Sequence, residues 1–308
     1  MIRISVRHGQ SLANVTEVDL HTGGSEANTA VALARLGMKT AWVSRLTDNA
    51  LGRRIGSDIA RHGVDTRAVI WTPKDRVGTY YVEYATAPRS SSVLYDRRNS
   101  AISRLKPEEL NWEFLLNTRI LHLTGITPAL SPTCMQAVAE AVKKAHARKV
   151  PVSFDVNYRA GLWSTGAAAK TLTPLLQNSA LLIMTQDDAG GVFKLKGEPK
   201  QIVREIRKQF QAQVAVLTMG NKGALAWDGD NLWHEPGLPV QEVIDRLGAG
   251  DAFTAGLICG FLQKDLPLGL KFGVAMSAMK MGMRGDYFWA SRAEVEQVIK
   301  SRGGDVRR

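Results

Sequence analysis

Asp245-Arg246-Leu247-Gly248-Ala249-Gly250-Asp251-Ala252-Phe253 is the stretch on which the reading of this chain turns. It follows a short apolar run (Val240, Val243, Ile244) and opens a helical pattern through Ala255, Leu257, Ile258, Phe261 and Leu262. Gly-Ala-Gly at a helix start leaves backbone N–H groups bare, with no bulky side chain to keep an anion away. The helix dipole adds partial positive charge at the same point. A carboxylate beside such an anion hole repels phosphate, so Asp251 suits a general base that takes a proton from an attacking hydroxyl. Taken alone, the nonapeptide fits a tight turn with an ordinary first-turn acid equally well.

The rest of the chain narrows the choice. Its 308 residues suit one large α/β domain or two modest ones, and no Pro- or Ser-rich linker divides them. No apolar run is long enough to span a membrane, and MIRISVRHGQ lacks the apolar core of a signal peptide, so a cytoplasmic protein is expected. Cys134 and Cys259 both fall in apolar helical patterns, and no Cys/His cluster has zinc spacing. The net charge of +11 raises nucleic-acid binding as a possibility. The basic pairs are scattered, however, at Arg53-Arg54, Arg97-Arg98, Lys143-Lys144 and Arg307-Arg308, and no nucleic-acid motif accompanies them. Attraction of small anionic substrates is the better reading.

After residue 100 short apolar runs alternate with helical patterns. Strands are predicted at Ile120–Leu123, Val150–Phe154, Leu181–Met184 and Val214–Leu217, with helices over Ser131–Arg148, Ala167–Gln177 and Val203–Phe210. That alternation predicts a mainly parallel sheet covered on both faces, with ligands beyond the carboxyl ends of its strands. Val77–Tyr84 and Ser92–Arg97 read as strands with no helix between them. With Val15–His21 they are expected to form a small antiparallel lid, within about residues 8–22 and 70–100.

Three further stretches carry chemistry. Thr22-Gly23-Gly24-Ser25-Glu26-Ala27-Asn28 leads into an Ala/Leu-rich helix, where the glycines permit close approach of a ligand and Asn28 can reach a hydroxyl; a Ser25-capped helix is the plainer alternative. Thr218-Met219-Gly220-Asn221-Lys222-Gly223 follows a strand and suits either a nucleotide or a simple hairpin turn. Asp155-Val156-Asn157-Tyr158-Arg159 ends a strand, and Arg159 reads as a carboxylate fork or a structural ion pair.

In this order the motifs resemble the ribokinase/PfkB family of sugar kinases, from about Ile2 to Val298. Gly23-Gly24 with Asn28 is similar to the family's first signature, and Asp245–Phe253 to its second, which is highly specific. Thr47–Gly52 and Gly63–Thr66 resemble the segment after the first. Gly78–Tyr84, Tyr95–Arg97, Leu123–Pro132, Asp155–Arg159 and Arg284–Asp286 resemble the branch acting on 2-keto-3-deoxygluconate. The resemblance implies a three-layer ribokinase-like α/β fold with a small antiparallel β lid. It implies ATP-dependent phosphorylation of the terminal hydroxyl of that sugar acid, with Mg2+ and in some members a monovalent cation. Asp251 is then the base, and the amides of Gly248, Ala249 and Gly250 form the anion hole. Gly24, Asn28, Tyr80, Tyr95, Arg97 and Arg159 touch the sugar acid. Thr218, Gly220, Lys222 and Gly223, with Ala275 and Ala278, bound the nucleotide. Two arginines suit a substrate that carries a carboxylate. A homo-oligomer through the lid is expected, with neither nucleic acid nor membrane as partner. The rival readings are another kinase of this fold, such as a fructokinase or ribokinase, and a non-catalytic sugar-acid or nucleotide sensor.

The chain departs from the pattern in several places. Family members begin with a full strand ending in Gly-Glu ahead of a stretch like Ile2–Ser5; here that strand stands half finished at Met1, which predicts a short first strand or an internal start site, and an interior strand short of hydrogen-bond partners. The acidic motif Asn-x-x-Glu reads Thr185-Gln186-Asp187-Asp188, leaving Asp188 to order magnesium-bound water with a shorter arm. Arg246 replaces a common Thr. Arg7-His8-Gly9 resembles a phosphohistidine motif, but none of the later histidines stands in a matching second motif.

Overall fold

The computed structural model describes residues 1–85 and 88–301, so Arg307-Arg308 lies outside the described residues. The chain opens with β1 (Ile2–Ser5), β2 (Asp19–Thr22) and α1 (Ser25–Arg35). Then come β3 (Thr40–Ala41), β4 (Arg45–Thr47), α2 (Ala50–Ala60), β5 (Val64–Asp65), β6 (Ile70–Thr72), β7 (Thr79–Glu83) and β8 (Ser92–Asp96). A helical turn α3 (Trp112–Leu116) precedes the alternating half. That half runs β9 (Leu121–Thr124), α4 (Pro132–Ala147), β10 (Val152–Asp155), α5 (Thr165–Leu176), β11 (Leu181–Thr185), α6 (Gln186–Gly191), α7 (Pro199–Phe210) and β12 (Val214–Thr218). It closes with β13 (Ala224–Trp227), β14 (Leu232–Glu235), α8 (Ala249–Leu262), α9 (Leu266–Met281) and α10 (Arg292–Ser301).

The large sheet has the order β14-β13-β12-β11-β10-β9, with β9 to β12 parallel and the last two strands antiparallel. Its apolar runs feed two cores because successive side chains leave opposite faces. Leu181, Ile183, Val214 and Val216 pack with α8 and α9, while Leu182, Met184, Ala215 and Leu217 pack with α4, α5 and α7. This is the three-layer architecture the alternation predicts. Helix starts are marked as the sequence suggests: the Ser131 hydroxyl accepts from the Cys134 amide at 3.1 Å, with Pro132 in the first turn of α4. Cys134 and Cys259 are free and buried.

The lid differs from expectation. It is a mixed sheet, order β2-β1-β7-β8, in which β1 runs parallel to β7 and antiparallel to β2. Ile2–Ser5 therefore belongs to the lid, outside the range expected for it. Four-residue strands are too short to show which sheet they join. Residues 40–48 form an extended run bonded on one side, first to β5 and then to β6. Among the described residues no helix is long and apolar enough to cross a membrane.

Candidate active site

Asp251 sits in the first turn of α8, 8% exposed. The Ser25 hydroxyl donates to its Oδ1 at 2.6 Å and the Asn28 amide to its Oδ2 at 2.7 Å. Asn157 in turn donates to the Ser25 oxygen at 2.8 Å. The start of α1 and the loop after β10 thus fix the orientation of one carboxylate. Burial drives its pKa up to about 6; the Ser25 and Asn28 hydrogen bonds and the Arg159 charge oppose that rise, and Asp286 adds to it.

Gly248 caps α8 at φ +86°, and a Cβ there would collide with the Asp286 carbonyl oxygen, so the turn admits only glycine. Gly250 faces open space. The expected anion hole needs one correction. The Ala249 N–H donates to the Arg246 carbonyl at 3.2 Å, closing the turn. Among the described residues, the amides without a partner at this helix start are those of Gly248, Gly250 and Asp251. Arg246 is exposed.

Gly24, Asn28, Tyr80, Tyr95, Arg97 and Arg159 all border one cavity of about 1320 Å³, together with Gly248 and Asp251. Their roles are not equally open. Tyr80 is buried and donates its hydroxyl to Asp286 at 2.6 Å, so it faces the cavity as a ring rather than as a free donor. Tyr95 stacks on it, centroids 5.6 Å apart, and the Arg97 guanidinium lies 4.2 Å from the Tyr95 ring centroid. Burial pulls the Arg97 pKa down, Tyr95 opposes that, and Arg159 adds to it. Among the described residues neither Arg97 nor Arg159 has a carboxylate within ion-pair distance. A structural ion pair is thus not the fate of Arg159.

The expected nucleotide residues lie away from this cavity. Thr218 ends β12, and Gly220 and Lys222, both exposed, form with the buried Gly223 the turn into β13; the turn is a hairpin, its Met219 amide bonded to Gly223 at 2.8 Å. Ala278 is half-buried on α9. Ala275 is corrected: it is wholly enclosed in the core with Ala252 and Phe253 and offers no surface to a ligand. Asp188 is buried at the start of α6, and burial raises its pKa.

Several residues were not foreseen as part of the site. Asp155, at the end of β10, is pushed up to about 7 by burial and then by the charges of Asp251 and Asp188. It accepts from Thr254 at 3.3 Å, tying β10 to α8. Glu26 lines the cavity and accepts from Thr124 and Thr127, both at 2.7 Å. Beneath the lid, Arg3 is fully buried between Asp245 (2.6 Å) and Asp286 (2.7 Å), and Tyr84 donates to Asp245 at 2.7 Å. A strand-terminal acid in an apolar run is a weak signal for Asp155; nothing in the sequence announces a lone Arg between two aspartates more than 240 residues away. His8 stacks on Tyr84, centroids 4.7 Å apart, in the lid.

The chain matches the family described as pfkB family carbohydrate kinase over residues 1–291. It is 33% identical to the 2-dehydro-3-deoxygalactonokinase of Haloferax volcanii, over 99% of this chain and 95% of that one. It is 31% identical to the 2-dehydro-3-deoxygluconokinase of Thermoproteus tenax, over 94% and 89%. The crystal structure of the 2-dehydro-3-deoxygluconokinase of Thermotoga maritima superposes with a TM-score of 0.90 at 29% identity, covering 97% of each chain.

Proposed function

The chain belongs to the pfkB family of carbohydrate kinases, and from that premise we propose that it moves the γ-phosphoryl group of ATP to the terminal hydroxyl of a 2-keto-3-deoxy sugar acid, 2-keto-3-deoxygluconate first. One observation carries the acid specificity. Arg97 and Arg159 border the same cavity as Asp251, and among the described residues neither is paired with a carboxylate. Two such guanidinium groups in one pocket repel each other and call for an anion; a neutral sugar supplies none. The names of the two curated relatives, which write 2-keto as 2-dehydro, agree.

In this mechanism Asp251 accepts the proton of the sugar hydroxyl while its oxygen bonds to the γ-phosphorus and the bond to the ADP oxygen breaks. Amides at the α8 start, those of Gly248 and Gly250, stabilise charge on the phosphoryl oxygens. Gly24 and Asn28 position the acceptor and Tyr95 borders it. Thr218, Gly220, Lys222, Gly223 and Ala278 bound the nucleotide. The described residues include no group of three or more His, Cys, Asp or Glu able to cage a metal. Mg2+ would be held mainly by phosphate oxygens and water, with Asp188 acting through water. When bound, the ion neutralises phosphate charge. The lid sheet closes over the sugar, and its outer face, on which Leu94 is exposed, is the surface through which two copies associate.

The test is an ADP-release assay with ATP and Mg2+ on 2-keto-3-deoxygluconate, its galactonate epimer, fructose and ribose, run with and without K+. Turnover on neutral sugars alone sinks the sugar-acid reading; no turnover on any leaves a binding protein. The galactonate epimer is the second reading, because the Haloferax relative bears its name.

A further inference from the structure

Among the described residues Lys280 is the only lysine that is fully buried. It stands in the last turn of α9, where a lysine head ordinarily reaches water or the final carbonyls of its own helix. Its Nζ instead donates to two main-chain carbonyls outside the helix, Met283 at 3.0 Å and Asp245 at 3.3 Å. Among the described residues no carboxylate lies within ion-pair distance of it. Burial pulls its pKa down; the charges of Asp245, Asp286 and Asp251 oppose that fall, and Arg3 adds to it. The phosphoryl transfer described above gives this buried ammonium no part.

Charge and position together say what it does. Arg3, Asp245 and Asp286 share one buried cluster, whose two carboxylates outnumber its one guanidinium. Tyr80 and Tyr84 bring only hydroxyls to it. Lys280 supplies the missing positive charge, and buried charge is tolerated where it is balanced. The carbonyls it holds belong to the two segments that enclose the start of α8. Asp245 opens the stretch leading to Gly248–Asp251, and its carboxylate fixes the Leu247 and Gly285 amides, both at 3.0 Å. Met283 leads through Gly285 to Asp286, whose carbonyl oxygen leaves no room for a Cβ on Gly248. The Ile244 and Asp245 amides donate to Met281 at 2.8 and 3.0 Å, so the end of α9 is bonded to that stretch as well. Two carbonyl oxygens turned onto one buried point repel each other unless a cation stands between them. Carbonyl oxygens are also the ligands that replace the water shell of K+.

We propose that Lys280 is a tethered monovalent cation: its ammonium takes the place of a carbonyl-bound K+ and holds the turn before α8 in the shape that leaves the Gly248 and Gly250 amides bare. It is a positioning residue, acting through the Asp245 and Met283 carbonyls. Its effect on turnover rests on the kinase reading, and the chain then works equally well with and without K+. Removing the ammonium opens a site for a small cation in its stead.

Melting temperature tests this without reading kinase activity, so its failure is distinct from failure of the proposed function. For the unaltered chain it should agree within about 1 °C in equal concentrations of KCl and tetramethylammonium chloride, whose cation is too large to sit between two carbonyls. Lys280→Met keeps a long side chain and removes its charge. KCl or NH4Cl should raise the melting temperature of this variant by at least about 3 °C over tetramethylammonium chloride. A variant that folds in K+ alone shows the same response. On the sugar acid its kcat without K+ should fall at least about tenfold, with the KM for ATP within about threefold, and K+ should restore most of the loss. An unchanged kcat overturns the positioning role. Stabilisation of the unaltered chain by K+ overturns the proposal, because the place is then not filled by Lys280. So does a Lys280→Met chain that responds to neither K+ nor NH4+, or that folds in no salt, which leaves the lysine as an ordinary helix cap.

Discussion

Asp251 receives two short hydrogen bonds in a place that otherwise favours its protonated form. Asp251→Asn keeps the shape and removes the proposed base. Turnover should fall at least about a hundredfold, while ATP affinity, followed by calorimetry, stays within about threefold. The same group sets a pH limb. A base with a pKa of about 6 is lost as pH falls through that value, so kcat/KM should drop by about tenfold per pH unit below it. Ser25→Ala removes a bond that holds the pKa down, and the acid limb should move to higher pH; an unmoved limb assigns it to another group. Arg159→Ala should raise the KM for the sugar acid by at least about tenfold and leave that for ATP little changed. Equal rises in both argue for a structural Arg159. At this scale Asp251 stands out in the sequence, because the proposed base and its glycines are contiguous. Asp155 was not legible as a site residue, since its raised pKa comes from burial and from Asp188 and Asp251, which only the fold brings near. The Ala249 amide was misassigned because a turn bond to Arg246 is invisible in residue types.

Among the elements, α8 and α9 approach each other closely, and glycines make it possible. A Cβ on Gly256 would lie 2.6 Å from the Phe272 carbonyl carbon. Gly256→Val therefore forces the helices apart and should cost about 1–3 kcal/mol, read as a lowered denaturant midpoint with an unchanged slope. Because α8 carries Asp251 at its start, the same variant should lose activity beyond its loss of folded protein. The parallel half was readable because each strand is an apolar run closed by a helical period, and its boundaries fall within a few residues of expectation. The first hundred residues were less readable. β1, β3, β4 and β5 have four residues or fewer, too few to show a period or name a partner.

Across the whole molecule, Arg3 joins the lid to the core. It comes from β1 and is closed in by Asp245, ahead of α8, and Asp286, after α9. Arg3→Ala leaves two buried carboxylates facing each other and should cost about 3–5 kcal/mol, visible as a lower melting temperature by calorimetry. An unchanged melting temperature means that the tie contributes nothing. Nothing in the local sequence marks this residue, because its partners meet it only after the chain has been traversed. The placement has a mechanical consequence. β1 is an inner strand of the lid, whereas β8, at the far edge, is exposed along its whole length. The sheet is held near its root: a rotation about the Arg3 tie would move β8, where Tyr95 and the nearby Arg97 border the cavity, farther than it moves β7. Displacement of that kind would grow outward from α8, so it would reach the proposed sugar site before the proposed base.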